Sequence, residues 1–174
     1  MPTFDNKTRM LMVDLETRST NKKNASIAQI GAAIFSVDEG YVGEKFLINV
    51  IDDPRFHVSE DTMLFWKKQP MNVRESVFSN PISVDDSIHQ FDSWLRSKFE
   101  FPYKTFVWSH GKEFDFPILQ NAYEVLDKRF PIGYPYLMDT RTLFNVAGVD
   151  HKAGNTHNAL EDCLNQIKVL REIL

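Results

Sequence analysis

Asp14 and Glu16 are the residues of this chain whose type and spacing most directly suggest chemistry. They close the run Met10-Leu-Met-Val-Asp-Leu-Glu-Thr17, in which four apolar residues lead into one acid and a second acid follows two positions on. Side chains two apart on a strand project from one face, so both carboxylates would point the same way with Cα atoms roughly 6–7 Å apart. Carboxylates held that close repel unless a cation lies between them or they share a proton. The pair is therefore half of a metal site or an acid dyad. Of the 14 aspartates in the sequence, only Asp14 has a glutamate two positions later. Taken alone, the pair also fits a strand end running into a solvated acidic turn.

Two further acidic groups bear on that choice. Asp115 ends Trp108-Ser-His-Gly-Lys-Glu-Phe-Asp115, where an aromatic residue, a glycine turn and an acid follow a short apolar run. Capping of a helix start would explain the acid. It would not explain the whole assembly at the carboxyl end of a strand. Near the C-terminus, Asn158-Ala-Leu-Glu161 fits a variant capping box with Asn158 as N-cap and Glu161 at N3. His157 and Asp162 then take the two positions that meet in a hydrophobic staple, so an imidazole and a carboxylate stand where two apolar groups are usual. Cys163, Leu164, Ile167, Leu170 and Leu174 form the stripe that would fix this helix on a sheet, and Cys163 reads as core.

Composition bounds the rest. At 174 residues and 43% hydrophobic content the chain fits one domain able to bury roughly 70% of its unfolded surface. One cysteine excludes an internal disulfide framework and suits a reducing compartment. Without a signal pattern or an apolar run near the ~20 residues of a spanning helix, a soluble cytoplasmic protein is expected. The net charge of −4 argues against holding long duplex by general electrostatics, but not against gripping a few nucleotides.

The elements that must position the acids can be read in order. Arg9 to Asp14 reads as a central strand buried on both faces, with the acids at its carboxyl end. Arg18 to Asn24 reads as a solvated polar loop in preference to a phosphate-contacting one. Residues 26–37 and 41–51 form a hairpin about Asp-Glu-Gly, extending the first strand antiparallel. A helix follows from Glu60 to about Pro70 and carries Phe65 and Trp66. An aromatic beside Lys67 and Lys68 can stack on a base, so Trp66 is a candidate substrate contact, with core packing as its alternative. A short helix over 72–79 comes next, then an amphipathic one from Val84 to Phe99 capped by Ser83. Thr105 to Ser109 reads as a strand and 114–126 as a helix whose first turn must hold Pro117. Tyr136 to Met138 reads as a last strand, and 140–147 as a helix. This order gives an α/β fold with one mixed sheet covered on its faces.

Asp14-Leu-Glu16-Thr17, Phe114-Asp115 and His157 with Asp162 five residues on resemble, in order, the three motifs of the DEDDh exonuclease superfamily. Trp66-Lys-Lys-Gln69, the Trp108 turn, Asp139-Thr-Arg141-Thr142 and His157-Asn-Ala-Leu160 are similar to a small single-domain group of phage exonucleases and a mycobacterial exoribonuclease. The resemblance implies a ribonuclease H-like fold with a five-stranded mixed sheet, one exonuclease domain over residues 1–174, and a bacterial or phage-infected cytoplasm. It implies that Asp14, Glu16, Asp115 and Asp162 bind two Mg²⁺ or Mn²⁺ ions and that His157 is the general base. Leu15 and Thr17 would contact the terminal nucleotide of single-stranded RNA or DNA, and a homodimer is expected from relatives. His110 stands where relatives usually carry an asparagine. It is a candidate substrate-side residue that either orients a ligand or replaces an amide hydrogen bond. Two rivals stand beside this reading: an inactive nucleic-acid-binding module on the same fold, and a metal-free glycosidase using Asp14 and Glu16.

Overall fold

The computed structural model describes residues 3–149 and 156–174. Five strands, β1 Met10–Thr17, β2 Ile27–Ser36, β3 Gly40–Asn49, β4 Val107–Ser109 and β5 Leu137–Asp139, form one sheet in the order β3-β2-β1-β4-β5. β1 is antiparallel to β2 and parallel to β4, and β4 is parallel to β5. The helices are α1 Glu60–Lys68, α2 Met71–Phe78, α3 Val84–Lys98, α4 Lys112–Val125, α5 Thr140–Ala147 and α6 Ala159–Ile173. No helix among the described residues is long and apolar enough to cross a membrane.

Alternation along β1 decides where its acids point. Leu11, Val13 and Leu15 pack in a core with Ile88 and Phe91 of α3 and Phe116 and Leu119 of α4. Met10 and Met12 face the opposite way, into a core with Phe144 of α5 and Cys163, Ile167 and Leu170 of α6. Asp14 and Glu16 continue the Met10–Met12 row, so the period of two carries them onto the face covered by α6. Fully burying Ile167 or Leu170 is worth about 1.5–3 kcal/mol each, which fixes the rotation of α6.

On β2 the row facing α6 is Gln29, Gly31, Ala33 and Phe35, opposite Glu16, Asp14, Met12 and Met10 respectively. Gly31 is required by a close approach. A Cβ there would lie 2.3 Å from the carbonyl carbon of Ala159 in the first turn of α6. Gln29 ties down the same turn, its side-chain oxygen accepting the Ala159 N–H at 2.8 Å while its amide nitrogen donates to Asn49 Oδ1 and the Ser76 carbonyl.

The expected elements form, with three differences. α4 starts at Lys112, so Pro117 is its sixth residue rather than part of its first turn. The helix can begin that early because Gly111, at φ 98°, makes the reversal out of β4. Leu174 lies beyond the buried stripe of α6 and is 43% exposed. Arg18 is not part of a solvated loop: it is buried, and its guanidinium donates to the Ile27 and Val50 carbonyls at 2.6 Å each, which removes it from phosphate contact.

Candidate functional site

Three elements converge on one end of the sheet. One ligand oxygen from each of Asp14, Glu16 and Asp162 lies within 4.8 Å of the others. Asp115 enters from the far side of β1, where its Oδ1 accepts the Leu15 N–H at 3.2 Å. All four acids line a cavity of about 1050 Å³ that also takes in Leu15, His110, Phe114 and Arg141.

The electrostatics follow from crowding. Burial, and then the charges of Asp115, Glu16 and Asp162, push the Asp14 carboxyl well above its ordinary range. Glu16 is pushed up to about 8 by burial and by Asp162 and Asp115. Burial also raises Asp115 to about 7 against the hydrogen bond from the Leu15 N–H. Asp162 is raised by burial, although it accepts the Thr156 N–H at 2.7 Å and the Thr156 hydroxyl at 3.0 Å. Four hard oxygen donors that resist shedding their protons together are what a divalent cation would relieve, and no thiolate competes, since Cys163 is buried in the core. The residues present fit a divalent-metal site.

The neighbours of these acids are placed as follows. Asn158 caps α6 as expected, accepting the Glu161 N–H at 3.1 Å. His157 adopts a left-handed backbone with φ 53°, and its ring packs edge-on against Phe65 and Trp66, with centroids 5.0 and 6.0 Å away. Its charge and its backbone N–H both favour the ionised form of Asp162. Trp66 corrects the expectation of a base-stacking ring. It is only 2% exposed, and its indole N–H donates to the Thr17 carbonyl at 2.8 Å, so it braces the end of β1 from within. Its neighbour Phe65 is the exposed aromatic, at 40%.

Thr17 is buried and donates its hydroxyl to the Ser19 carbonyl at 2.7 Å. Leu15 is largely buried, with one edge on the cavity. His110 stands 3.0 Å from the Thr140 hydroxyl through Nδ1, on the cavity wall beside Phe144. Asp139 caps α5, accepting the Arg141 and Gly111 N–H groups, and Arg141 donates to the His110 carbonyl. The sequence reading missed Gln166, whose Nε2 donates to Asp14 Oδ1 at 2.9 Å. Its position four residues after Asp162 was the available signal, since helix positions four apart share a face.

Residues 9–174 match the family described as the 3′-5′ exoribonuclease Rv2179c-like domain. The chain belongs to this Rv2179c-like exoribonuclease family. No curated protein matches it. Among solved structures, the chain is similar to E. coli exonuclease I in complex with a dT13 oligonucleotide, with TM-score 0.68, 14% identity, and coverage of 96% of this chain and 41% of that one. It is also similar to the nuclease domain of 3′hExo, a DEDDh family member, bound to rAMP (TM-score 0.69, 11% identity, 94% and 90% coverage). A third likeness is to cell-death related nuclease 4, CRN-4 (TM-score 0.60, 16% identity, 96% and 64% coverage). The chain spans about two fifths of the exonuclease I chains it matches. At such identities the likeness establishes the shared ribonuclease H-like fold of DEDDh exonucleases, and the family match covers the strands and helices that carry all four acids.

Proposed function

We propose that this protein is a metal-dependent 3′→5′ exonuclease that shortens single-stranded nucleic acid one nucleoside 5′-monophosphate at a time. The observation that carries this reading is the convergence of Asp14, Glu16 and Asp162 within 4.8 Å, with Asp115 against the same strand. These four residues would hold two divalent cations, Mg²⁺ or Mn²⁺. When bound, such ions lower the pKa of water and neutralise the charge that builds on a departing oxygen.

The chain's own groups do the rest. His157 takes the proton of the attacking water, as a general base whose imidazole nitrogen can accept it. The Phe65 and Trp66 rings pack edge-on against that imidazole and hold it at the entry of α6, ahead of Asp162. Leu15 offers an apolar edge to the terminal base, and Thr17 sets the strand end against which that nucleotide sits. Phe65, exposed next to His157, serves as the stacking aromatic in place of the buried Trp66. His110, held against the Thr140 hydroxyl, faces the substrate from the cavity wall.

The family description points to RNA as the substrate, and the exonuclease I complexes carry DNA oligonucleotides. Matched 5′-labelled RNA and DNA strands of one sequence, incubated with Mn²⁺, test both questions. A ladder of shortened products with released 5′-monophosphates is expected, faster on RNA. Asp14→Ala should slow it by at least ~10²-fold, the size of effect seen when one positioned charge-stabilising group is removed. Hydrolysis that survives excess EDTA, or an undiminished ladder from Asp14→Ala, would sink the proposal.

A further inference from the structure

We infer that Gln166 is a fifth member of the site, a positioning residue that holds Asp14 with one end of its amide and offers the other to the hydration shell of a bound cation. This rests on the metal reading above. Gln166 sits one turn after Asp162 on α6 and lines the cavity, at the edge of the stripe that Cys163, Ile167 and Leu170 bury. Its Nε2 donates to Asp14 Oδ1 at 2.9 Å. Once Asp14 is ionised, as a ligand to a cation would be, its carboxylate can only accept, so in that state the NH₂ end faces Asp14, as it does here, and the carbonyl end faces away.

That carbonyl oxygen is buried and has no hydrogen-bond partner among the described residues. A buried acceptor without a donor is costly, and most such atoms in folded proteins are satisfied. Gln29, on the strand beneath the same helix, is the internal control. Its oxygen accepts the Ala159 N–H, and its nitrogen donates to both Asn49 and Ser76. Where this fold needs only structure from a glutamine, both ends are spent inside the protein. At Gln166, a residue of the acidic cavity's lining, one end is spent on a candidate ligand and the other is left buried without a partner among the described residues. The donors missing from its surroundings are those a hydrated divalent cation brings, because water on the ion presents O–H groups to the atoms around it. Groups that orient metal ligands in this way tune affinity without touching the ion.

The test is Mn²⁺ binding by calorimetry to metal-stripped protein without nucleic acid, alongside melting temperatures in EDTA and in Mn²⁺. Gln166→Leu keeps the volume and removes both hydrogen-bonding ends. It should bind Mn²⁺ about 10–100-fold more weakly than wild type while its metal-free melting temperature stays within about 4 °C. Gln166→Glu puts another carboxylate beside Asp14, so its metal-free melting temperature should fall and its rise on adding Mn²⁺ should exceed that of wild type. Wild-type Mn²⁺ affinity in a folded Gln166→Leu protein overturns the inference. If that variant does not fold, an unaltered Mn²⁺ response in Gln166→Glu overturns it instead. Failure of wild type to bind Mn²⁺ overturns the metal reading and this inference with it.

Discussion

α4 and α6 each place an aspartate at their fourth residue, Asp115 and Asp162, and each aims it at the end of β1, yet they begin and are held in opposite ways. α4 follows a left-handed glycine with no side-chain cap, and its acid grips the sheet directly through the Leu15 N–H. α6 follows a capping asparagine, and its acid is held by its own leading segment, through Thr156 and the His157 N–H. What holds α6 to the sheet is a different set of atoms, the Gln29 amide and the bare Cα of Gly31. One carboxylate is therefore fixed by the strand it serves. The other is fixed at one remove, by the seat beneath its helix.

The largest effect expected concerns the charge both helices bring to β1. Glu16, ordinarily near 4.5, is raised to about 8, and Asp115, ordinarily near 3.8, to about 7. A carboxyl raised on folding contributes stability that is whole below its unfolded pKa and is lost as pH climbs through its folded value. In EDTA the melting temperature should thus fall from about pH 5 to pH 8, and saturating Mn²⁺ should flatten or reverse that slope because metal binding releases the protons. A metal-free melting temperature that rises over this range would contradict the crowded-acid picture.

The next largest breaks the seat of α6 alone. Gly31→Ala drives a methyl into the Ala159 carbonyl, which should cost about 1–3 kcal/mol of stability. A shift of about 1 Å in Asp162 should slow turnover by ~10²-fold, and denaturant unfolding alongside single-turnover rates separates the two effects. Gln29→Leu leaves the Ala159 N–H without its acceptor, for a loss of roughly 1–3 kcal/mol and a smaller drop in rate. If either variant keeps full activity, α6 is not positioned as argued. The smallest effect expected is at Trp66→Phe, which forfeits the hydrogen bond to the Thr17 carbonyl and should cost about 1 kcal/mol in thermal unfolding, with the affinity for oligonucleotide unchanged.

The acids and the frame that carries them were legible in the sequence because both rest on local signals. Ser83 and Asn158 both cap helices as their side chains allow, and the apolar run of β1 is buried as its composition demands. Residues whose role depends on what lies across the sheet or under a helix were not legible. Arg18 looks like any cation in a polar loop until the Ile27 and Val50 carbonyls close over it. Trp66 and Phe65 are neighbours of similar type, and only the docking of α1 decides which is buried. Gly31 and Gln29 owe their importance to a helix 130 residues later in the chain, and strand periodicity carries no mark of it. Gly111 marks a turn in the sequence, and only its left-handed backbone in the fold lets α4 spring directly from it.

The left-handed backbone of His157 has a consequence for how this protein responds to selection. A residue with a Cβ in that region gives up roughly 1–2 kcal/mol, which glycine would not. With His157 as the base proposed above, the sequence that folds most firmly would not be the sequence that cuts. A library sorted only for resistance to heat should accumulate glycine or asparagine at position 157 and return proteins that are better packed and chemically idle, whereas one sorted for turnover keeps the strained imidazole and gathers its stabilising changes elsewhere.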